Sequence, residues 1–320
     1  MLSAQLGATN TTLQPTGLDS SLPRCCITAQ IDSSNITPTS FKFPSLRNQF
    51  ICLPLFNLHH FTSLKVHAPP NASRSPCPVV NALANHGYLE RSGRGIFMDD
   101  LNASMKHVGM SPLLGSVFAI PTYFEYQNPA KAYMKKPVGT WQRIWSLIKN
   151  PYSFFDYFGC WNAKQISDGK KYLNLVDLAS HGAIEHDISL SRRDIAQKQG
   201  NNDPQQDLIE EMLDYSFDGE TLTIEDLARF IKARISRQLE DNPELVYGPA
   251  EHQVNCGQIA LMMGCFGDGK TIPVKYVKAI FEDERLPIEE GWKRRSWWTM
   301  GLVEFFGAVK KLVNAVGVEF

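Results

Sequence analysis

The 320-residue chain has no excess of charge of either sign: 32 Lys and Arg stand against 33 Asp and Glu, a formal net charge of -1. Without surplus positive charge it has little with which to neutralise phosphates, which argues against a general nucleic-acid binder. It also lacks a long apolar run. Its most apolar stretch, WWTMGLVEFFGAVKKLVNAVGVEF, is interrupted by Glu304, Lys310 and Lys311, short of the roughly 18 apolar residues that a membrane span needs. Cysteine is sparse, seven residues with none in CxxC spacing, which excludes a disulfide scaffold and a zinc knuckle. The first residues, MLSAQLGATNTTLQPTG, lack the basic and apolar regions of a secretory signal. The expectation is therefore an intracellular protein, with secretion the alternative if the chain begins elsewhere.

What is present is a globular composition, 43% hydrophobic, long enough for one large core. Residues 1–65 are Ser/Thr-rich, poor in charge and without periodicity, so we expect a disordered extension there. Residues 66–320 are expected to form one mainly α domain. Helical spacing is visible in VVNALANHGYLER, IFMDDLNASMKHVGM, QQDLIEEMLDYS, TIEDLARFIKARISRQLED, VNCGQIALMMGCFG and PVKYVKAIFEDERL, with Thr223 as a candidate cap. NLVDLASHGAIEHDISLSRRDIA reads as a further amphipathic helix, broken near Gly182. Convincing alternating strands are absent. An aromatic block from Trp141 to Trp161 reads equally as core packing or as the lining of a substrate channel.

Two motifs can carry chemistry. In SRSPCPVVNALANHG, Cys77 lies between Pro76 and Pro78 just before a helix. The prolines fix the direction of the sulfur, and the helix N-terminus favours a thiolate. In ASHGAIEHDISLSRRD, a helix would put Glu185 and Ser189 on one face, where a carboxylate and a hydroxyl suit a hard cation such as Mg²⁺. His186 would point about 100° away, with Asp187 able to orient its imidazole. GCFGDGKT, 264–271, matches a phosphate-cradling loop, but no buried parallel strand precedes it and the reading is a glycine-rich turn. His181, Glu185 and His186 do not have HExxH zinc spacing, and His86 reads as a satisfied core histidine.

Together, PCPVVNALANHGYLERSGRGI, LNLVDLASHGAIEHDISLSRRD and GQIALMMGCFGDGKTIPVKYVKAIFEDERLP resemble the fungal haem-thiolate peroxidases, the family of chloroperoxidase and the unspecific peroxygenases. The similar stretches are 67–110, 168–200 and 257–287, in the family's order, and EHD places the chain with its short members. The resemblance implies an all-α, chloroperoxidase-like domain around haem b. It implies Cys77 as the axial thiolate to the iron. Glu185 and Ser189, with the His186 carbonyl, would bind Mg²⁺ or Mn²⁺. The His186 side chain and Asp187 would lie on the peroxide side. The family's distal glutamate falls in a G-E-x-A-L pattern; here the stretch is GQIAL and the position is Gln258. An amide cannot shuttle a proton, so Glu251 or His252, reaching in from the preceding turn, and His186 are the candidate substitutes.

The leading expectation is a haem peroxidase or peroxygenase that oxidises a small organic substrate with hydrogen peroxide, with secondary-metabolite biosynthesis as one setting. Gln258 keeps two alternatives open: a repurposed haem-thiolate tailoring enzyme, and a non-catalytic haem-binding protein.

Overall fold

A computed structural model describes residues 67–123, 165–181, 185–197, 203–296 and 298–319, all within the compact unit His60–Phe320. The expected extension, 1–65, and the aromatic block Trp141 to Trp161 lie outside these residues. Among the described residues helices dominate, as expected: α1 Pro78–Asn85, α2 Met98–Met105, α3 Pro112–Ala119, α4 Gln206–Asp214, α5 Ile224–Asp241, α6 Pro249–Phe266, α7 Val274–Phe281 and α8 Leu302–Val316. No described helix is long and apolar enough to cross a membrane. Short strands add to the helices: β1 Ile96–Phe97, β2 Gln165–Ser167, β3 Lys170–Leu173, β4 Thr221–Thr223 and β5 Thr271–Pro273. Two to four residues are too few for alternation to show in sequence. β1, β3 and β2 form one antiparallel sheet in that order, and β4 pairs with β5 in a second.

Helix starts follow from local chemistry. The Thr223 hydroxyl accepts from the Asp226 N–H at 3.1 Å, while the Asp226 carboxylate accepts from the Thr223 N–H at 2.9 Å, closing a capping box at α5. Behind it Leu227, Phe230, Ile231, Arg234, Ile235 and Gln238 recur at helical spacing and are buried. Thr223→Ala is expected to lower the unfolding free energy by about 1 kcal/mol, read as a lower urea midpoint at unchanged m value. Helix α3 escaped the sequence reading although its start carried a signal: the Ser111 hydroxyl accepts from the Leu114 N–H at 3.2 Å and Pro112 opens the helix.

One device occurs twice. Asp218 Oδ1 accepts from the N–H groups of Glu220 and Thr221 at 2.8 and 2.7 Å; Asp268 Oδ1 accepts from those of Lys270 and Thr271 at the same two distances. Each turn leads into a strand and then a helix, α5 or α7, and the strands pair with Leu222 opposite Ile272, both fully buried. The GCFGDGKT stretch runs from the last turn of α6 into this antiparallel ribbon. α8 packs on α6 and α5.

Candidate active site

The segment read as one long amphipathic helix does not form one. Leu175–Ala179 winds a single 3₁₀ stretch behind an Asn174–Asp177 capping box, and the described residues 185–197 contain no helix. The cause is short polar side chains that bind backbone in place of a helical ladder. Asp194 Oδ1 accepts from the Ile188 N–H at 2.8 Å; Asp187 accepts from the Ile195 and Val246 N–H groups at 3.1 and 3.0 Å. Ile188 sits at φ 60°, a left-handed conformation costly for a β-branched residue. Its carbonyl is held by Asn255 Nδ2 of α6 at 2.8 Å. The buried Arg234 of α5 donates to the Ser189 carbonyl and, at 3.3 Å, to Asp194. The expected shared helical face of Glu185 and Ser189 is therefore absent.

This loop presents His186 to α6. His186 is 5% exposed, its Nδ1 is 2.8 Å from the Asp187 carbonyl, and its Nε2 is 2.9 Å from Gln258 Nε2. Burial lowers the imidazole pKa, against the hydrogen bond to the Asp187 carbonyl, so the ring is neutral and carries one N–H. That N–H faces the carbonyl. Nε2 therefore accepts from the Gln258 amide. The structure brings His186 and Gln258 together, but Asp187 meets the imidazole through its main chain, while its carboxylate holds Ile195 and Val246. Glu251 folds back to accept from the Gly248 N–H at 2.9 Å and caps α6. His252 Nδ1 pairs with the Tyr247 hydroxyl at 2.9 Å.

Cys77 is the N-cap of α1, with Pro78 as the first helical residue. Its thiol is free and half-buried, packed against the apolar core. Burial pushes the thiol pKa up; the Val80 and Val79 amides and Arg192 pull it down without prevailing. The helix start thus favours a thiolate, but desolvation outweighs it. The approach to Cys77 is pinned at Gly93, φ 67°, where a Cβ would lie 2.1 Å from the Ser73 carbonyl oxygen. His86 is satisfied, its Nε2 accepting from the Leu286 N–H at 3.1 Å.

Glu185 Oε2 lies 2.5 Å from His181 Nδ1, and this hydrogen bond raises the His181 pKa. Among the described residues no three His, Cys, Asp or Glu groups converge as a metal site. Glu185 is engaged by His181 and shares no helical face with Ser189, so the described residues show no ready-made site for the expected Mg²⁺ or Mn²⁺.

Comparison with known proteins shows the family. The family described as Peroxidase, family 2, matches residues 59–297. The chain belongs to this family. An aromatic peroxidase of Fusarium equiseti is 28% identical over 193 residues, 57% of this chain and 39% of that protein. A chloroperoxidase of Leptoxyphium fumago is 31% identical over 153 residues, 48% of this chain and 30% of that protein. The matched stretch thus spans less than two fifths of either relative's length.

A family-2 peroxidase of chloroperoxidase type implies haem, and the donor set fits it on the sulfur side. A free thiol is fixed at a helix start, and Arg192 is fully buried, with an Nε that finds no hydrogen-bond partner among the described residues. Sequence reasoning gave no role to Arg192, Glu284 or Asn81, which meet around one carboxylate oxygen. Its one available signal was a charged residue inside each of SRRD and ERLP.

Proposed function

We propose that the chain is a haem-thiolate oxidoreductase that uses hydrogen peroxide to oxidise a small organic substrate, with Cys77 ligating the iron of haem b. The observation that carries the reading is Cys77 itself: a free thiol at the N-cap of α1 between Pro76 and Pro78, in a chain of this family. Bound haem would supply the redox chemistry, and thiolate donation favours O–O cleavage. The chain's own part is to aim the sulfur and to place His186 and Gln258 at hydrogen-bond distance from each other. Neutral His186 offers no proton at Nε2, the amide occupies that nitrogen's lone pair, and Gln258 donates without yielding a proton, so the pair is better suited to orient than to shuttle.

That pair favours a second reading, a haem pocket turned to a dedicated tailoring reaction in secondary metabolism with little general peroxide activity. Haem-reconstituted protein, given peroxide with aromatic and aliphatic probes, is expected to form oxidised products detectable by mass spectrometry. No product from any probe, with haem intact, would sink the peroxidase reading and leave the tailoring enzyme or a haem-binding protein.

A further inference from the structure

Arg192 is 0% exposed, and its Nη2 lies 3.0 Å from Glu284 Oε1. The same oxygen accepts from Asn81 Nδ2 at 2.8 Å. Asn81, on α1, also binds Ser75 through both ends of its amide: Oδ1 accepts from the Ser75 N–H at 2.9 Å, and Nδ2 donates to the Ser75 carbonyl at 2.8 Å. The Ser75 hydroxyl in turn accepts from the Cys77 N–H at 3.2 Å. A hydrogen-bonded chain therefore runs from the backbone of Cys77 through Ser75, Asn81 and Glu284 to the guanidinium. Glu284 holds its place at φ 48°, a left-handed conformation unusual for a glutamate, with its carbonyl accepting from Asn85 Nδ2 at 2.9 Å. Burying an ion pair and straining its backbone stabilises less than an apolar contact would, so the charges themselves call for a purpose.

We propose that Arg192 and Glu284 are positioning residues that set the electrostatic potential at the Cys77 sulfur, and through it the reduction potential of the iron. The inference rests on the haem-thiolate reading. A guanidinium cannot lose its proton in a protein, and in a low-dielectric site its charge is poorly screened. The guanidinium brings a positive charge and the Glu284 carboxylate a negative one to the chain that ends on the Cys77 N–H, so the two act on the sulfur with opposite sign. Positive charge beside the sulfur withdraws its electron donation and stabilises the ferrous state, so Arg192 raises the potential and Glu284 trims it.

The test uses haem-reconstituted full-length protein in spectroelectrochemical titration, with the carbon-monoxide Soret band as the check on ligation. Arg192→Gln removes the cation; Glu284→Gln keeps an acceptor oxygen for Asn81 and removes the anion. The midpoint is expected to fall in the first and rise in the second, each by about tenfold in the ferric–ferrous equilibrium, 59 mV for one electron. A mere brace would lower the thermal midpoint of both without moving the potentials in opposite directions. Shifts of one sign, or none, in variants that keep the thiolate band overturn the proposal. Where an unpaired charge prevents one single variant from folding, the neutral pair R192Q/E284Q is read against the other: its midpoint lies above that of Arg192→Gln, or below that of Glu284→Gln, and the reverse order overturns the proposal. Wild-type holoprotein without a thiolate band defeats the haem-thiolate reading itself, whereas a band with unmoved potentials defeats the pair alone.

Discussion

Cys77→Ala is expected to abolish the strongly red-shifted Soret band of the reduced, carbon-monoxide-bound holoprotein and to reduce peroxide-dependent oxidation to background. The other described thiols are poor substitutes. Burial pushes Cys256 and Cys265 up to about 12. Cys256 Sγ lies 3.8 Å from His252 Nε2, and Cys265 Sγ lies 3.9 Å from Met300 Sδ, both inside the core. A ligand must be reachable, and at 0% and 2% exposure inside the packed core neither sulfur is. The substitution should also be mild for the fold, because the Cys77 side chain makes no capping hydrogen bond and Pro78 still opens α1. The thermal midpoint of the apoprotein is therefore expected to stay near wild type while the spectrum changes completely. A red-shifted band that survives in Cys77→Ala would assign the iron to another sulfur. Haem bound with an ordinary band in the wild type would remove the thiolate mechanism.

Much of this arrangement was legible in sequence, and the parts that were not share a cause. α5 could be read because every determinant is local: a Thr223–Asp226 box, then apolar residues at helical spacing. Cys77 could be read because Pro76 and Pro78 restrict their own neighbourhood. Gln258 could be read because the GQIAL pattern places it, and α6 carries it to His186 at 2.9 Å. The 185–195 loop was misread as helix because its determinants are distant. Asp187 reaches the amide of Val246, 59 residues on, and Ile188 is held by Asn255, 67 residues on. Seen alone, the apolar and polar spacing of this stretch mimics an amphipathic helix; tertiary hydrogen bonds override it. The Arg192–Glu284 pair spans 92 residues, and no spacing rule connects two charges so far apart.

Gln258→Glu is expected to accelerate peroxide consumption by roughly 10²–10⁴-fold, the usual contribution of a positioned general acid–base. In the wild type, the single imidazole proton of His186 is committed at Nδ1 to the Asp187 carbonyl, and Nε2 accepts from the Gln258 amide. The Nε2 lone pair is occupied by the amide and burial lowers its basicity, so the pair is a poor acceptor for a peroxide proton. A carboxylate in place of the amide changes that balance. Two acceptors 2.9 Å apart need a proton between them, so the introduced carboxylate and His186 Nε2 would share one and raise the affinity of the pair for it. A shared, mobile proton at this pair is the function that the amide lacks. The substitution is nearly isosteric, so α6, whose cap is Glu251 on the Gly248 N–H at 2.9 Å, should be undisturbed. Gln258→Ala serves as the control, since it removes the amide donor without adding a base and should give no comparable gain. Stopped-flow measurement of peroxide loss at matched haem content separates the cases. If the Gln258→Glu variant is no faster than wild type, position 258 is not what limits this enzyme, and a group outside the His186–Gln258 pair must already move the proton.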